Sequence, residues 1–243
     1  MALRLLASVA AAASAASAGP AGSAGSSAAA AAGGSFGVDV SETVTASQAK
    51  CMRASHNITF GIARAWYSDG AGFDHASVES VASFRAANMS ADVYMFPCSF
   101  GLDAASQVTQ LLANLSSHGV EFGRIWFDVE TNPDPKCAWK SDKKSNCDFM
   151  GQLVAAAQKT TAQWGVYSSI HMWTAWMADA SAPNSCAVAS ELLLWYPHYQ
   201  SPPDPSFDDF VPFGGWTAPT IKQYYDGING PMCGVGVDNN WRP

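Results

Sequence analysis

Two carboxylic acids stand two residues apart at the end of the segment RIWFDVE, directly after an apolar run. If this segment is a strand, residues i and i+2 point to the same face, about 6–7 Å apart, so Asp128 and Glu130 project together. Two close acids in a partly apolar setting acquire different proton affinities, so that one is protonated while the other is ionised. Hydrolysis of a glycosidic bond requires such a pair.

Two further acids stand at the ends of other strand-like runs: Asp39 ends the first run, in FGVDVS, and Asp238 ends the last, in GVGVD. In a closed barrel the first and last strands are neighbours, and the catalytic rim lies at the carboxyl ends of the strands. We therefore predict one catalytic cluster of all four acids. Two alternatives stay open, namely a solvated strand end for DVE and calcium ligation by oxygen atoms, although the sequence has no EF-hand-like loop.

Aromatic residues recur beside the same strand ends. Sugar rings present apolar CH faces that rest on aromatic rings, and phenol hydroxyls supply hydrogen bonds. This pattern favours a polysaccharide groove, while ordinary core packing should account for roughly half of the set. The set comprises Trp66, Tyr67, Tyr94, Tyr167, Trp195, Tyr196, Tyr199, Tyr224 and Tyr225.

The elements that must position these residues are short apolar runs that alternate with segments of helical period, which predicts about eight strands in a parallel α/β arrangement. After Leu194, many prolines and glycines leave little room for a long helix. The predicted fold is an irregular TIM-like barrel, with an open doubly wound sheet as the alternative. The strand candidates are Phe36 to Val40, Ile58 to Arg64, Asp92 to Phe96, Arg124 to Glu130, Trp164 to Ser168, Leu192 to Tyr196, Ile221 to Tyr225 and Val235 to Asp238.

The N-terminal segment has the composition of a processing signal, with a basic residue, an apolar stretch and small residues up to Ala18. We predict a signal peptide over 1–18, a flexible Gly/Ala/Ser leader over 19–34 and a single catalytic barrel over 35–243. Export would give the six cysteines an oxidising setting, and their even number favours three disulfides over a zinc site. We expect Cys51 to pair with Cys233 and Cys137 with Cys147.

Charge and hydropathy limit the partners of the chain. Its net charge is −7, and no basic run is present, so nucleic acid is not an expected partner. No segment after the signal holds about 20 uninterrupted apolar residues, so we expect no membrane span. Because an acidic protein is repelled by an anionic bacterial surface at neutral pH, we expect work in an acidic or salty compartment.

An ordered set of segments carries a family resemblance. GVDVS, FGIARAWYS, DVYMFPC, IWFDVE, GVYSS, LLLWYPHY, FGGW, IKQYYDG and CGVGVD resemble glycoside hydrolase family 25, and most closely its eukaryotic lysozyme-like branch of nematodes and amoebae. The match spans nearly everything from Phe36 to Trp241. The resemblance implies an irregular (β/α)5(β)3 barrel and N-acetylmuramidase activity, with no metal or organic cofactor.

The resemblance also implies roles. Glu130 matches the general acid, and Asp128 matches the carboxylate that either orients the acetamido group of the substrate or stabilises positive charge at the sugar carbon. Asp39 and Asp238 match supporting acids of the cleft floor. Met95 departs from the family, because many members have His there. The candidate substrate-binding residues are Tyr94, Arg64, Tyr167, Trp195, Tyr199, Gln223 and Tyr224.

The expected protein is therefore a monomeric lysozyme that acts on bacterial peptidoglycan, outside the cell or in a lysosomal or phagosomal lumen. Some members of the eukaryotic branch have lost the catalytic acids, but this chain keeps all four, which favours an active enzyme. Two other functions stay open: a non-catalytic peptidoglycan-binding or immune-recognition protein, and a hydrolase directed at chitin.

Overall fold

The computed structural model describes residues 34–227 and 230–243. The predicted signal peptide, 1–18, and the predicted leader, 19–34, lie outside the described residues except for Gly34. Eight strands and five α-helices make up the described chain. In order they are β1 (Ser35–Val40), α1 (Ala46–His56), β2 (Ile58–Trp66), α2 (Ala76–Ala86), β3 (Ser90–Met95), α3 (Ala104–Ser117), β4 (Arg124–Asp128), α4 (Lys143–Ala157), β5 (Gln163–Tyr167), α5 (Ile170–Trp176), β6 (Leu193–Pro197), β7 (Ile221–Tyr225) and β8 (Asp238–Arg242).

The strands form a closed barrel in chain order. Strands β1 to β7 are parallel to one another, while β8 runs antiparallel to both β7 and β1. One helix follows each of the first five strands, and the described residues after Trp176 contain no further α-helix. The irregular (β/α)5(β)3 barrel is therefore confirmed, and the open doubly wound sheet is wrong.

The last strand differs from its prediction, because it covers Asp238–Arg242 and not Val235 to Asp238. The GVGV segment before it forms a turn in which Met232 and Val235 exchange backbone hydrogen bonds at 2.9 and 3.0 Å. Asp238 consequently begins a strand that runs antiparallel. The first residue of an antiparallel strand lies at the rim where its parallel neighbours end, so Asp238 still pairs directly with Asp39.

Large side chains fill the interior of the barrel. Phe60, Trp126 and Trp195 are buried there with Ile62, Tyr167 and Ile221. Two glycines make room for these rings: a Cβ at Gly165 would lie 2.3 Å from the Trp126 ring, and one at Gly37 would lie 2.2 Å from the Phe60 ring. Because such contacts are far inside van der Waals distance, only glycine fits opposite these rings.

The outer face of the barrel packs against the helices. The apolar residues Val81 and Phe84 of α2, and Leu111 and Leu115 of α3, are fully buried in the outer core. Several helices begin at a residue whose side chain caps the helix N-terminus. In α3, for example, the Asp103 carboxylate accepts from the Ser106 backbone N–H at 2.7 Å. Within the described part of the chain, no helix combines the length and apolar character that crossing a membrane requires.

Three disulfides connect the loops and helices, and each one pairs cysteines that are far apart in sequence. Cys51–Cys233 is confirmed, with a sequence separation of 182. The predicted pairing of Cys137 with Cys147 is wrong. Cys98 pairs with Cys137 and Cys147 pairs with Cys186, each with a sequence separation of 39. The reason is that Cys137 lies in the loop after β4, against the loop after β3, whereas Cys147 belongs to α4.

Candidate active site

Four acids lie at one rim of the barrel. Asp39 stands near the end of β1, Asp128 ends β4, and Asp238 begins β8 opposite Asp39. Glu130 follows two residues after β4, because the strand ends earlier than predicted. The charge of Asp238 raises the pKa values of both Asp39 and Glu130, and the charge of Glu130 raises that of Asp128. The structure therefore brings all four predicted acids together.

Burial is the main cause of the proton affinities in this cluster. It raises the pKa of Glu130 to about 7, with a further contribution from the Asp238 charge. It raises the pKa of Asp238 to about 6, with a contribution from Asp226. Burial also raises the pKa values of Asp39 and Asp128 well above their usual range. Between about pH 6 and about pH 7 the cluster therefore contains a largely ionised Asp238 beside a largely protonated Glu130.

Two side-chain amides hold the Asp39 carboxylate. Its Oδ2 accepts from Gln223 Nε2 at 2.8 Å and from Asn240 Nδ2 at 2.7 Å. The same Gln223 nitrogen lies 3.4 Å from Asp238 Oδ2. On its other side, Gln223 Oε1 accepts from the Tyr167 hydroxyl at 2.7 Å and from the Tyr199 hydroxyl. Gln223 is thus a bridge between two carboxylates and two tyrosines, and its side chain is almost completely buried.

Asp128 differs from Asp39 because no described residue donates a hydrogen bond to its carboxyl group. Its side chain is buried, and its Oδ1 makes no hydrogen bond to any described residue. Trp126, two residues earlier on β4, points into the barrel, so the alternation of side chains also points Asp128 inward. A buried acceptor without a donor is costly unless a ligand supplies one.

The segment that carries Glu130 is fixed through its backbone. The Val129 N–H donates to the Tyr167 carbonyl at 2.9 Å, and the Ser168 hydroxyl donates to the Val129 carbonyl at 2.8 Å. The indole N–H of Trp139 donates to the Glu130 carbonyl at 2.8 Å. The Glu130 side chain itself is only partly buried, so it is accessible at the rim of the barrel.

Three tyrosine hydroxyls face the acids. Burial, followed by the charges of neighbouring residues, raises the pKa values of Tyr94, Tyr167 and Tyr199 well above the usual range. Tyr167 and Tyr94 pack beside Trp195, with ring centroids 4.5 and 6.3 Å from that of the indole. Tyr199 is the exposed member of the group, with 45% of its surface accessible.

The remaining candidates occupy different places. Arg64 lies partly exposed near the end of β2, where its Nε donates to Asp74 Oδ2 at 2.8 Å and its Nη2 donates to the Ser41 carbonyl at 2.9 Å. Tyr224 is not brought to the acid cluster. Because Gln223 faces the interior of the barrel, Tyr224 faces outward, where its ring lies 6.3 Å from that of Phe36.

Sequence analysis missed Asn240, Ser168 and Trp139. Asn240 holds both Asp39 and, through its Oδ1, the indole N–H of Trp195 at 2.7 Å. Strand alternation from Asp238 would have found it, but only with β8 placed correctly. The contacts of Ser168 and Trp139 go to backbone carbonyls, for which residue type gives no signal.

Comparisons with known proteins agree with this architecture. A family model described as Lysozyme-like protein 1 matches residues 30–224. The chain is 35% identical over 208 residues to a probable GH family 25 lysozyme 4 of Dictyostelium discoideum, covering 85% of this chain and 90% of the relative. It is 34% identical over 210 residues to lysozyme-like protein 5 of Caenorhabditis elegans, covering 85% and 91%. A solved bacterial lysozyme from Streptomyces coelicolor superposes with a TM-score of 0.62 at 18% identity, covering 86% and 91%.

Proposed function

Since this chain belongs to the lysozyme-like family of glycoside hydrolase family 25, we propose that it hydrolyses the β-1,4 bond between N-acetylmuramic acid and N-acetylglucosamine in bacterial peptidoglycan. The observation that carries this proposal is the cluster of four acids at one rim, in which the pKa of Glu130 is raised to about 7. A carboxyl group that stays protonated near neutral pH can act as a general acid.

Glu130 donates this proton to the oxygen of the glycosidic bond, so that the leaving sugar departs as an alcohol. Asp238 supports the acid electrostatically. With a pKa of about 6, Asp238 ionises before Glu130, and its negative charge favours the protonated form of Glu130. Between about pH 6 and about pH 7, Asp238 is thus largely ionised while Glu130 is largely protonated.

Asp128 contacts the reacting sugar. Its carboxyl group accepts no hydrogen bond from a described residue and is therefore free to accept from the N–H of the acetamido group that both sugars carry. Orientation of this group, or stabilisation of the positive charge at the adjacent sugar carbon, assists the second step. Asp39 has a different role because Gln223 and Asn240 already occupy one of its oxygens. Asp39 therefore shapes the floor of the cleft and adds negative charge there.

The candidate substrate-binding side chains divide into a buried floor and an accessible lip. Tyr167, Trp195 and Gln223 are buried and support the acids from below. Tyr199 and Arg64 are accessible and contact the glycan, with the Tyr199 ring as the apolar platform for a sugar face. Tyr94 lies between these groups and directs its hydroxyl toward the reacting sugar.

The first test replaces the acid without changing its size. Glu130→Gln should abolish the release of new reducing ends from purified peptidoglycan, while the circular dichroism spectrum stays that of the parent. Glu121→Gln is the matched control, because this acid is exposed and only pairs with Arg85. Full activity of Glu130→Gln would exclude the acid assignment.

Mass analysis of the released fragments identifies the bond. A reducing-end N-acetylmuramic acid supports the muramidase, whereas a reducing-end N-acetylglucosamine excludes it. Faster cleavage of chitin than of peptidoglycan would identify a chitin-directed hydrolase. Saturable binding to insoluble peptidoglycan without new reducing ends would identify a binding protein.

The same proposal covers the setting of the enzyme. Three disulfides favour an oxidising compartment, either outside the cell or in a lysosomal or phagosomal lumen. The raised pKa values of Glu130 and Asp238 favour a mildly acidic one. Peptidoglycan is the partner, and the enzyme acts as a monomer because all four acids come from one chain.

A further inference from the structure

Three strands beyond the last described α-helix present large side chains on the outer face of the barrel. Tyr196 of β6 is the register partner of Lys222 of β7, and Lys222 is the register partner of Trp241 of β8. A segment of the β6–β7 loop, residues 207–210, crosses this row. We call it the strap. It takes the place that a covering helix would have in a regular barrel.

Aromatic contacts fix the two ends of the strap. The Phe207 ring lies 5.1 Å from that of Trp241, and the Phe210 ring lies 5.1 Å from that of Tyr196, both edge to face. Such ring pairs stabilise an interface beyond the area that they bury. The strap therefore covers the middle residue of the row, Lys222, from both sides.

The centre of the strap is an ionic contact. Lys222 is completely buried, and its ammonium group lies 2.7 Å from Asp209 Oδ2. His198, the first residue after β6, contacts the same oxygen through Nδ1. Asp204 lies farther from the ammonium group, at 3.8 Å. Because a buried charge without a partner is strongly destabilising, Asp209 is the group that permits a lysine at this position.

A residue on the inner face of β7 also contacts the β6–β7 loop. Gln223 follows Lys222 and points into the barrel, where its Oε1 accepts from the Tyr199 hydroxyl. Its backbone carbonyl accepts from the His198 N–H at 3.0 Å. Strand β7 thus contacts the β6–β7 loop on both of its faces. On the outer face Lys222 binds Asp209, and on the inner face Gln223 binds Tyr199. Tyr199 is also the most exposed tyrosine at the acid cluster.

We propose that Asp209 is a positioning residue for hydrolysis, which fixes Tyr199 at the lip of the cleft by binding Lys222 and His198 on the opposite face of β7. This inference rests on the proposed muramidase function. Asp209 touches neither the acids nor the substrate, so its effect on the reaction passes entirely through the placement of the Tyr199 ring and hydroxyl.

A double-mutant cycle tests this coupling. Asp209→Asn should lower kcat/KM on soluble peptidoglycan fragments by about tenfold, since small displacements of a substrate-positioning group have large effects on rate. Tyr199→Ala should lower it as well, because it removes both the ring and the hydroxyl. In the Tyr199→Ala background, the further change Asp209→Asn should have an effect below about twofold, which is the accuracy of additivity for independent sites. A loss of equal size in both backgrounds overturns the proposal.

Asp208→Asn is the matched control. It makes the same substitution one residue away, at an exposed position whose backbone N–H donates only to Ser206. It should leave kcat/KM unchanged. If Asp209→Asn does not fold, His198→Gln takes its place in the cycle, because His198 is largely exposed and its replacement leaves no buried lysine unpaired. The same criterion applies to it.

Hydrogen exchange gives a readout that does not depend on activity. Peptides that contain the amides of His198 and Tyr199 should exchange faster in Asp209→Asn than in Asp208→Asn, because the His198 ring loses the carboxylate that holds it and the His198 N–H then separates more often from the Gln223 carbonyl. Unchanged exchange overturns the inference. The two proposals fail differently: a parent protein that releases no reducing ends refutes the muramidase, whereas an active parent with additive effects refutes only the role of Asp209.

Discussion

At the scale of single residues, the candidate site depends on unequal proton affinities among similar groups. Glu130, Asp238, Asp128 and Asp39 are all carboxylic acids, yet each has different neighbours. Amide donors hold Asp39, no described residue donates to the Asp128 carboxyl group, and Asp238 and Glu130 interact through their charges. The arrangement thus assigns different tasks to chemically similar side chains.

The pH dependence of the reaction follows from these neighbours. The Glu130 proton is lost as the pH rises through about 7, and Asp238 loses its charge as the pH falls through about 6. We expect kcat/KM on soluble peptidoglycan fragments to pass through a maximum between these values. Asp238→Asn should move the alkaline limb to lower pH, because the Asp238 charge helps to raise the pKa of Glu130.

Glu79→Gln is the control for this prediction, because Glu79 is an exposed acid of α2. It should leave both limbs in place. An alkaline limb that does not move in Asp238→Asn would show that Glu130 takes its proton affinity from burial alone. A profile that is flat from mildly acidic to neutral pH would contradict the whole assignment.

Strand ends in the sequence were sufficient to predict that the four acids meet, but not how they are held. Asp39 and Asp128 end parallel strands, so barrel geometry alone places them at one rim. The amide of Asn240 could not be predicted because the last strand was placed before Asp238. The prediction for Tyr224 is wrong because the segment IKQYY does not show by residue type alone that Gln223 faces inward and Tyr224 outward.

At the scale of elements, the loop after β4 decides where the acid stands. Because Glu130 lies outside β4, contacts within the loop, and not the strand pairing of the barrel, must fix its position. The Trp139 indole does this through the Glu130 carbonyl. The loop is itself tied to the loop after β3 by Cys98–Cys137, and the Asn132 amide donates to the Ser68 carbonyl at 2.9 Å.

Trp139→Phe tests this support. The substitution keeps an aromatic ring beside Phe149 but removes the N–H, which leaves the Glu130 carbonyl without its donor. We expect a loss of about 1–3 kcal/mol in the free energy of unfolding. Displacement of the acid should also lower kcat/KM by about tenfold. Chemical denaturation and release of reducing ends measure the two effects.

Trp164→Phe is the matched control, since this tryptophan is equally buried and donates to the Thr160 hydroxyl at 3.0 Å, near the beginning of β5. It should cost similar stability without a change in kcat/KM. Equal losses of activity in the two variants would mean that Trp139 acts only on the fold.

Periodicity predicted the early elements better than the late ones. Helices α2 and α3 follow the helical period of their apolar residues, because each covers the barrel with one buried face. Strand β8 begins where its prediction ends, since the apolar residue Val235 closes a turn that Cys233 anchors and Val237 lies between this turn and the strand. Disulfide pairing was predicted correctly only for Cys51 and Cys233, which the closure of the barrel brings together.

At the scale of the whole molecule, closure of the barrel concentrates acids and therefore works against stability at neutral pH. The pKa of Glu130 is raised to about 7 from an ordinary 4.5. A raised pKa means that the folded state binds the proton more tightly than the unfolded state. The associated stability is fully present below the ordinary pKa and is lost as the pH rises through about 7.

We therefore expect the free energy of unfolding to fall between about pH 5 and about pH 8, with Glu130 alone contributing on the order of 3 kcal/mol. Asp128, Asp39 and Asp238 act in the same direction, because their pKa values are also raised. Urea denaturation at the two pH values measures the difference.

Glu130→Gln should remove its share of this difference, because glutamine does not ionise, and should make the protein more stable than the parent at the higher pH. Glu121→Gln, at the exposed ion pair with Arg85, should leave the difference unchanged. A parent protein that becomes more stable between about pH 5 and about pH 8 would contradict the raised pKa values. In that case Glu130→Gln would lose activity without gaining stability at the higher pH. Glu130 would then have to be ionised throughout this pH range.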